Sequence, residues 1–239
     1  MNAVTIDARL LSCASFVRAG AVLADIGTDH GYLPVFLLKS GKICRAVLSD
    51  INAEPLASAR ENVEEAGLRD KCELVLTDGA AALGGRGITD YAICGMGGEL
   101  IADIIDKAPE MKSEGIRLIL QPMSRQAHLR GYLWQNGFSI LDERYSSADG
   151  KSYVCILAEY TGECYSPSRT ELELGLDLSH TEDLEEYLSF LEKKYNSLGR
   201  VIEGKTRGGE NADRESLLRK AILERMKTIG DRYDSTGNI

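Results

Sequence analysis

The sequence predicts an open, mostly parallel α/β sheet followed by a helical hairpin. Three observations predict it: short apolar runs alternating with helix-period stretches over residues 21–160, glycine-and-acid turns after several of those runs, and a leucine stripe in the last quarter.

Ile6, Leu10, Cys13, Ala14 and Val17 recur at helical spacing between Thr5 and Val17, so an amphipathic helix leads in and Gly20 ends it. Strand patterns follow at 22–26, 46–49, 73–76, 91–94 and 117–120, with helical patterns between them at 33–39, 53–66, 99–107 and 125–136. Such alternation implies a parallel sheet with helices on both faces. The alternation then breaks. Runs at 139–144 and 152–160 are separated by a polar stretch containing Asp149-Gly150, which predicts a β-hairpin closing the sheet.

Composition shifts after Tyr160, where Thr161-Gly162-Glu163 and Ser166-Pro167-Ser168 read as a linker. Leu184, Leu188, Leu191, Tyr195, Leu198 and Ile202 then recur every three or four residues, Gly208-Gly209 makes a turn, and Leu218, Ile222, Arg225 or Met226, and Ile229 resume the period. Two antiparallel helices packed as a coiled coil are expected. The expected division is an α/β domain over 1–160 and a linker with a helical domain over 161–239.

The formal charge of −9, from 37 acidic and 28 basic side chains, argues against a membrane surface or a general nucleic-acid coat. A local basic stripe still remains open to phosphate. Between Leu191 and Lys227, ten basic residues outnumber six acidic ones, so a stripe of that kind belongs on the hairpin. An exposed coiled-coil face laced with ion pairs explains the same charges. No apolar run approaches the roughly 20 residues that span a bilayer, and the start lacks a charged segment followed by an apolar core. A cytoplasmic protein is expected. The six cysteines include no Cys-x-x-Cys pair, so reduced thiols are expected and no metal site.

The strongest local signal is Leu23-Ala24-Asp25-Ile26-Gly27-Thr28-Asp29-His30-Gly31-Tyr32-Leu33-Pro34, a strand entering a glycine turn and then a helix. Nucleoside cofactors bind at such a turn in open α/β sheets. The spacing is Gly-x-x-x-Gly, and Asp25 and Asp29 flank it. Acids there suit the cationic sulfonium and amino-acid tail of S-adenosyl-L-methionine better than a pyrophosphate, which prefers bare amides at a helix start. Asp50, followed by Ile51, lies about 20 residues past the turn, where a carboxylate clamps ribose hydroxyls. Asp78-Gly79 ends the next strand and is the candidate acceptor for an adenine amine. Gly95-Met96-Gly97-Gly98 ends the fourth strand and offers close backbone approach. Gln121-Pro122-Met123 ends the fifth, at the same edge, where a target base is expected.

These motifs resemble the TrmK family of bacterial tRNA methyltransferases, which modify N1 of an adenine in the D-arm. The similarity runs from Arg9-Leu10 through the Asp25 to Pro34 turn, Gly95-Met96-Gly97-Gly98, Leu118-Ile119-Leu120-Gln121-Pro122 and Asn136-Gly137-Phe138, and extends to the helical hairpin. The resemblance implies a Rossmann-like methyltransferase sheet with a C-terminal coiled coil and an S-adenosyl-L-methionine pocket at Asp25, Gly27, Asp29, His30, Asp50, Ile51, Asp78, Gly79, Gly95, Met96, Gly97 and Gly98. It also implies methylation of adenine 22 in tRNA, with the base entering near Tyr32, Gln121 and Pro122. Two positions depart from the family's pattern. Met123 stands where an asparagine is usual, and Asp50 where a glutamate is.

Adenine N1 is a neutral nitrogen with a lone pair, so positioning and electrostatics outweigh proton removal. Asp29 is the candidate for stabilising the charge that develops, and Tyr32 for stacking on the extruded base. His30 is expected to order the loop or contact the cofactor. Two other classes stay open, a nicotinamide-dependent oxidoreductase on the same sheet and a non-catalytic RNA-binding relative. Oligomeric state is open between monomer and weak dimer.

Overall fold

Buried parallel strands need apolar side chains on both faces, and the runs at Val22, Ala46 and Tyr91 supply them. In the computed structural model, which describes residues 5–148, 150–177 and 184–236, they form the centre of a seven-stranded sheet. Its strands are β1 (Val22–Ile26), β2 (Arg45–Asp50), β3 (Cys72–Leu76), β4 (Asp90–Gly97), β5 (Arg117–Ser124), β6 (Phe138–Ala148) and β7 (Lys151–Tyr160). The order is β3-β2-β1-β4-β5-β7-β6. The first five are parallel, and β7 pairs antiparallel with both β5 and β6. The order in which successive strands are added reverses between β1 and β4, which opens a crevice outside their carboxyl ends.

Helices α1 (Ala8–Phe16), α2 (Tyr32–Lys39), α3 (Ala53–Glu65), α4 (Gly98–Asp106) and α5 (Gln126–Gln135) flank the sheet. The first helix starts at Ala8 rather than Thr5, because the Asp7 side chain accepts from Leu10 N at 2.8 Å and caps it. Its far end is fixed by Arg18, whose backbone N, Nε and Nη2 donate to the fully buried Asp90 carboxylate. Such a buried acid is tolerable only when paired.

Two boundaries differ from expectation. β4 and β5 continue past Cys94 and Leu120 to Gly97 and Ser124, with register shifts at Met96. Gly95 and Pro122 read as strand breakers, yet a bulge with Gly95 at φ +81° carries the pairing through. The linker is also partly helical. α6 (Arg169–Leu174) starts at a capping box in which Ser168 and Glu171 exchange side-chain-to-backbone bonds.

The chain forms two compact units, Met1–Ser166 and Pro167–Ile239. In the second, α7 (Leu184–Arg207) packs against α8 (Asp213–Thr236) across a short connection. Leu191, Leu218, Ile222 and Ile229 are buried, and Leu184, Leu188, Tyr195, Leu198 and Ile202 are half-buried along the expected seam. Tyr187 is buried outside that stripe. Its hydroxyl donates to Leu176 O at 3.3 Å and accepts from Arg225 Nη1 at 2.8 Å, so one arginine of the basic stripe serves the fold. No helix among the described residues is long and apolar enough to cross a membrane. Asp149 and His180 lie outside the described residues.

Candidate active site

The turn after β1 is built from glycines that nothing else can replace cheaply. Gly27 has φ +72°, and a Cβ there would overlap the Met96 methyl; Gly31 has φ +65° and lies against Leu48 and Ala59. The amides of Gly27 and Thr28 donate to Ser49 O at 2.8 and 3.0 Å, which hooks the turn onto the tip of β2. The acids are thereby held at the crevice.

A cleft of about 480 Å³ opens there, walled by the tips of β1 and β4 and by the N-terminal segment from Thr5 to Leu10. Of the expected site residues, Asp25, Gly27, Asp29, His30, Tyr32, Gly95 and Met96 line it. Asp25 is buried, and burial pushes its carboxyl up to about 6, with the Asp50 charge adding to the rise and the Thr28 hydroxyl opposing it. The Asp29 side chain is by contrast 79% exposed at the mouth, 3.4 Å from His30 Nε2. The His30 and Tyr32 rings lie 5.1 Å apart at 33°, and Tyr32 is 47% exposed. An aromatic face is therefore open at the rim.

Asp50, Ile51, Asp78 and Gly79 do not line this cleft but continue the same sheet edge at the tips of β2 and β3. Asp50 O accepts from Thr77 N at 2.9 Å, which ties the two tips, and Asp50 Oδ1 accepts from Asn52 N at 2.7 Å. Asn52 is the residue preceding α3, yet its own side chain makes no capping bond. Exposed Ile51 and Leu76 flank the acids with apolar surface. Gly79 rests on Ile104 of α4.

Gly97, Gly98, Gln121 and Pro122 also stay outside the cleft. A Cβ on Gly98 would stand 2.6 Å from Arg125 O, so its glycine is required by the packing of α4 against the end of β5. Arg125 itself sits at φ 57°, the single positive-φ side-chain residue among those described. Gln121 is wholly buried behind the wall, and its Oε1 accepts from Arg9 Nη1 at 2.9 Å and Gly95 N at 3.1 Å. Its Nε2 faces Pro122 O at 3.3 Å and the Met123 sulfur at 3.6 Å. Gln121 is thus placed as a strut between α1, β4 and β5.

Sequence reasoning assigned no role to Arg9 or Cys94, both of which line the cleft. Cys94 Sγ lies 3.6 Å from Cys13 Sγ, and that contact together with burial pushes the Cys94 thiol well above its ordinary range. Such a thiol stays protonated and inert. Among the described residues, no group of three His, Cys, Asp or Glu side chains could hold a metal ion.

Residues 6–156 match the family model described as a methyltransferase domain. The tRNA (adenine(22)-N(1))-methyltransferase of Bacillus subtilis is 29% identical over 242 residues, covering 93% of this chain and 99% of its own. Streptococcus pneumoniae Sp1610, proposed as a tRNA (m1A22) methyltransferase and solved in complex with S-adenosyl-L-methionine, is 30% identical. Its TM-score is 0.75, over 95% of this chain and 99% of that one. The chain belongs to the TrmK family. TrmK of Bacillus subtilis superposes with a TM-score of 0.75 at 26% identity, over 95% of this chain and 98% of its own. Every expected site residue falls inside the span matched by the methyltransferase model, and the TrmK likeness extends beyond it into the helical unit.

Proposed function

We propose that this chain transfers a methyl group from S-adenosyl-L-methionine to N1 of adenine 22 in tRNA. The observation that carries this reading is the acid-and-glycine cleft at the switch point of the sheet, with Asp25 and Asp29 on one wall and the aromatic face of Tyr32 at its rim. Its volume of about 480 Å³ is of the order that small-molecule sites need, and its acids suit a ligand with a sulfonium and an ammonium group. When bound, S-adenosyl-L-methionine supplies an electrophilic methyl carbon.

In this reading Asp50 holds the ribose hydroxyls and Asp78 accepts from the adenine amine of the cofactor, between the apolar flanks of Ile51 and Leu76. Gly27 and Gly95 let the ligand approach the backbone. The extruded target base stacks on Tyr32, which His30 backs at 5.1 Å, and so recovers part of the few kcal/mol lost on unstacking. The attacking nitrogen carries no proton. Asp29 therefore acts by charge alone, stabilising the cation that forms on the base.

The helical unit grips the tRNA backbone. Several of its cations are already engaged: Lys194 with Glu173, Lys205 with Glu215, Arg207 with Glu203 and Lys220 with Glu224. The last two are exposed, and exposed pairs contribute little to stability and exchange readily for phosphate. The test is transfer of labelled methyl groups to unmodified tRNA, to protein and to small molecules. Label in tRNA supports the reading, and label in another acceptor alone overturns it.

A further inference from the structure

The seam between α7 and α8 opens into a groove of about 260 Å³, lined by Tyr195 and Ile202 on one helix and by Ser216, Arg219, Lys220 and Leu223 on the other. Half-buried Arg219 is held in it on two sides. Its guanidinium carbon stands 4.0 Å from the centroid of the Tyr195 ring, and its Nη2 occupies a place that a Cβ on buried Gly199 would crowd at 3.2 Å. A glycine weakens a helix interior, so the guanidinium gives this one a reason to be there. Stacking fixes the arginine but supplies no acceptor. Among the described residues Arg219 forms no hydrogen bond and no ion pair, and its Nε is buried without a partner. Glu215, four residues earlier on α8, has the spacing to pair with it, yet Glu215 Oε1 accepts from Lys205 Nζ at 2.9 Å instead. Glu224 faces Lys220 at 3.8 Å, both side chains being mostly exposed.

We propose that this groove seats one phosphodiester of the RNA substrate, with Arg219 as its fork. The inference rests on tRNA being the substrate, and it singles out one built site among the many cations of the hairpin. Buried donors in native proteins are almost always paired, so a fixed and unspent guanidinium calls for a ligand rich in acceptor oxygens. A phosphodiester offers two such oxygens in the spacing that an arginine fork meets with parallel hydrogen bonds. Lys220 supplies a second charge once it leaves its exposed pair with Glu224, and the Ser216 hydroxyl supplies a further donor. Ile202 and Leu223 give the groove apolar surface, against which the charges act in a lower dielectric than on an open helix face. Because Tyr195 and Gly199 hold the fork before the RNA arrives, less rotamer entropy is lost on binding.

The test is binding of unmodified tRNA by the full chain across a salt series, with the melting temperature of each variant measured alongside. Arg219→Met keeps an unbranched side chain against Tyr195 and Gly199 while removing the fork. It should bind tRNA about tenfold more weakly, with a log–log salt slope smaller by about 1. It should melt no lower than wild type, because an unsatisfied buried donor is removed, and its affinity for S-adenosylhomocysteine should not change. Arg219→Lys, which keeps the charge without the fork, should fall between the two in affinity and retain the wild-type slope. An Arg219→Met protein that melts clearly lower shows that the guanidinium serves the hairpin, and overturns the assignment. So does tRNA affinity equal to wild type, or a loss at unchanged salt slope. Failure of wild type to bind tRNA at all overturns the substrate reading itself, and the role of the groove with it.

Discussion

Arg9 donates to Gln121 at 2.9 Å across 112 residues of sequence, so the first helix and the fifth strand meet behind the tip of β4. Gln121 Oε1 also receives Gly95 N, which makes this one buried amide the junction of three elements. Removing it leaves a cation and a backbone N–H without their acceptor.

Gln121→Ala should therefore destabilise the protein by about 1–3 kcal/mol, read as a lower midpoint in urea at unchanged slope. Affinity for S-adenosylhomocysteine should fall with it, because Arg9 and Gly95 both lose their anchor. A midpoint equal to wild type would contradict the strut role.

Asp25 gives a pH signature. Burial raises its carboxyl from 3.8 to about 6, so between those values the folded state binds a proton that the unfolded state has released. The associated stability is full below pH 3.8 and is lost as pH rises through about 6. At neutral pH the ionised carboxylate is thus a standing cost, at most about 3 kcal/mol. Asp25→Asn should melt higher than wild type at pH 7.5, with the gap narrowing toward pH 4, while binding S-adenosylhomocysteine more weakly. A lower melting point at pH 7.5 would show that the charge stabilises the fold.

Asp50→Ala should weaken S-adenosylhomocysteine binding about tenfold or more, equivalent to about 1.4 kcal/mol. The backbone tie from Thr77 N to Asp50 O survives the substitution, so the loss reports the carboxylate. Unchanged affinity by calorimetry would exclude a ribose contact.

The glycine run offers an internal comparison. Gly98→Ala forces a methyl to 2.6 Å from Arg125 O and should cost about 1–3 kcal/mol. Gly95→Ala meets only Arg9 Nη1 at 3.9 Å, an ordinary van der Waals contact, and bears mainly the left-handed backbone strain, about 1 kcal/mol. Denaturant titrations giving the reverse order would contradict the packing described here.

The alternation of buried runs was enough to read the parallel sheet, because strands covered on both faces cannot hide their apolar character. The acid-and-glycine turn after β1 was equally legible, since its spacing is local. What sequence left hidden depends on distant contacts. Arg9 entered only as the start of the family likeness because its partner Gln121 lies 112 residues away, and Gln121 was expected beside the target base because Pro122 masks the bulged continuation that buries it in the strand. Tyr187 falls off the leucine stripe because it packs against the turn after α6 rather than along the α7 seam.

On the helical unit, Arg200, Arg214 and Lys227 are exposed and form no ion pair among the described residues. Replacing all three by alanine should raise the tRNA dissociation constant and flatten its salt dependence, with S-adenosylhomocysteine affinity unchanged. Affinity equal to wild type at low and high salt would remove these cations from the interface.

The central claim is tested most directly by mass spectrometry of unmodified tRNA after incubation with the protein and S-adenosyl-L-methionine, with nuclease fragments assigned to sequence. The account predicts 1-methyladenosine in the D-arm fragment that contains adenine 22, and its loss in Asp50→Ala at low cofactor concentration. Methylation of a different nucleoside, or of adenine at another position only, would contradict it.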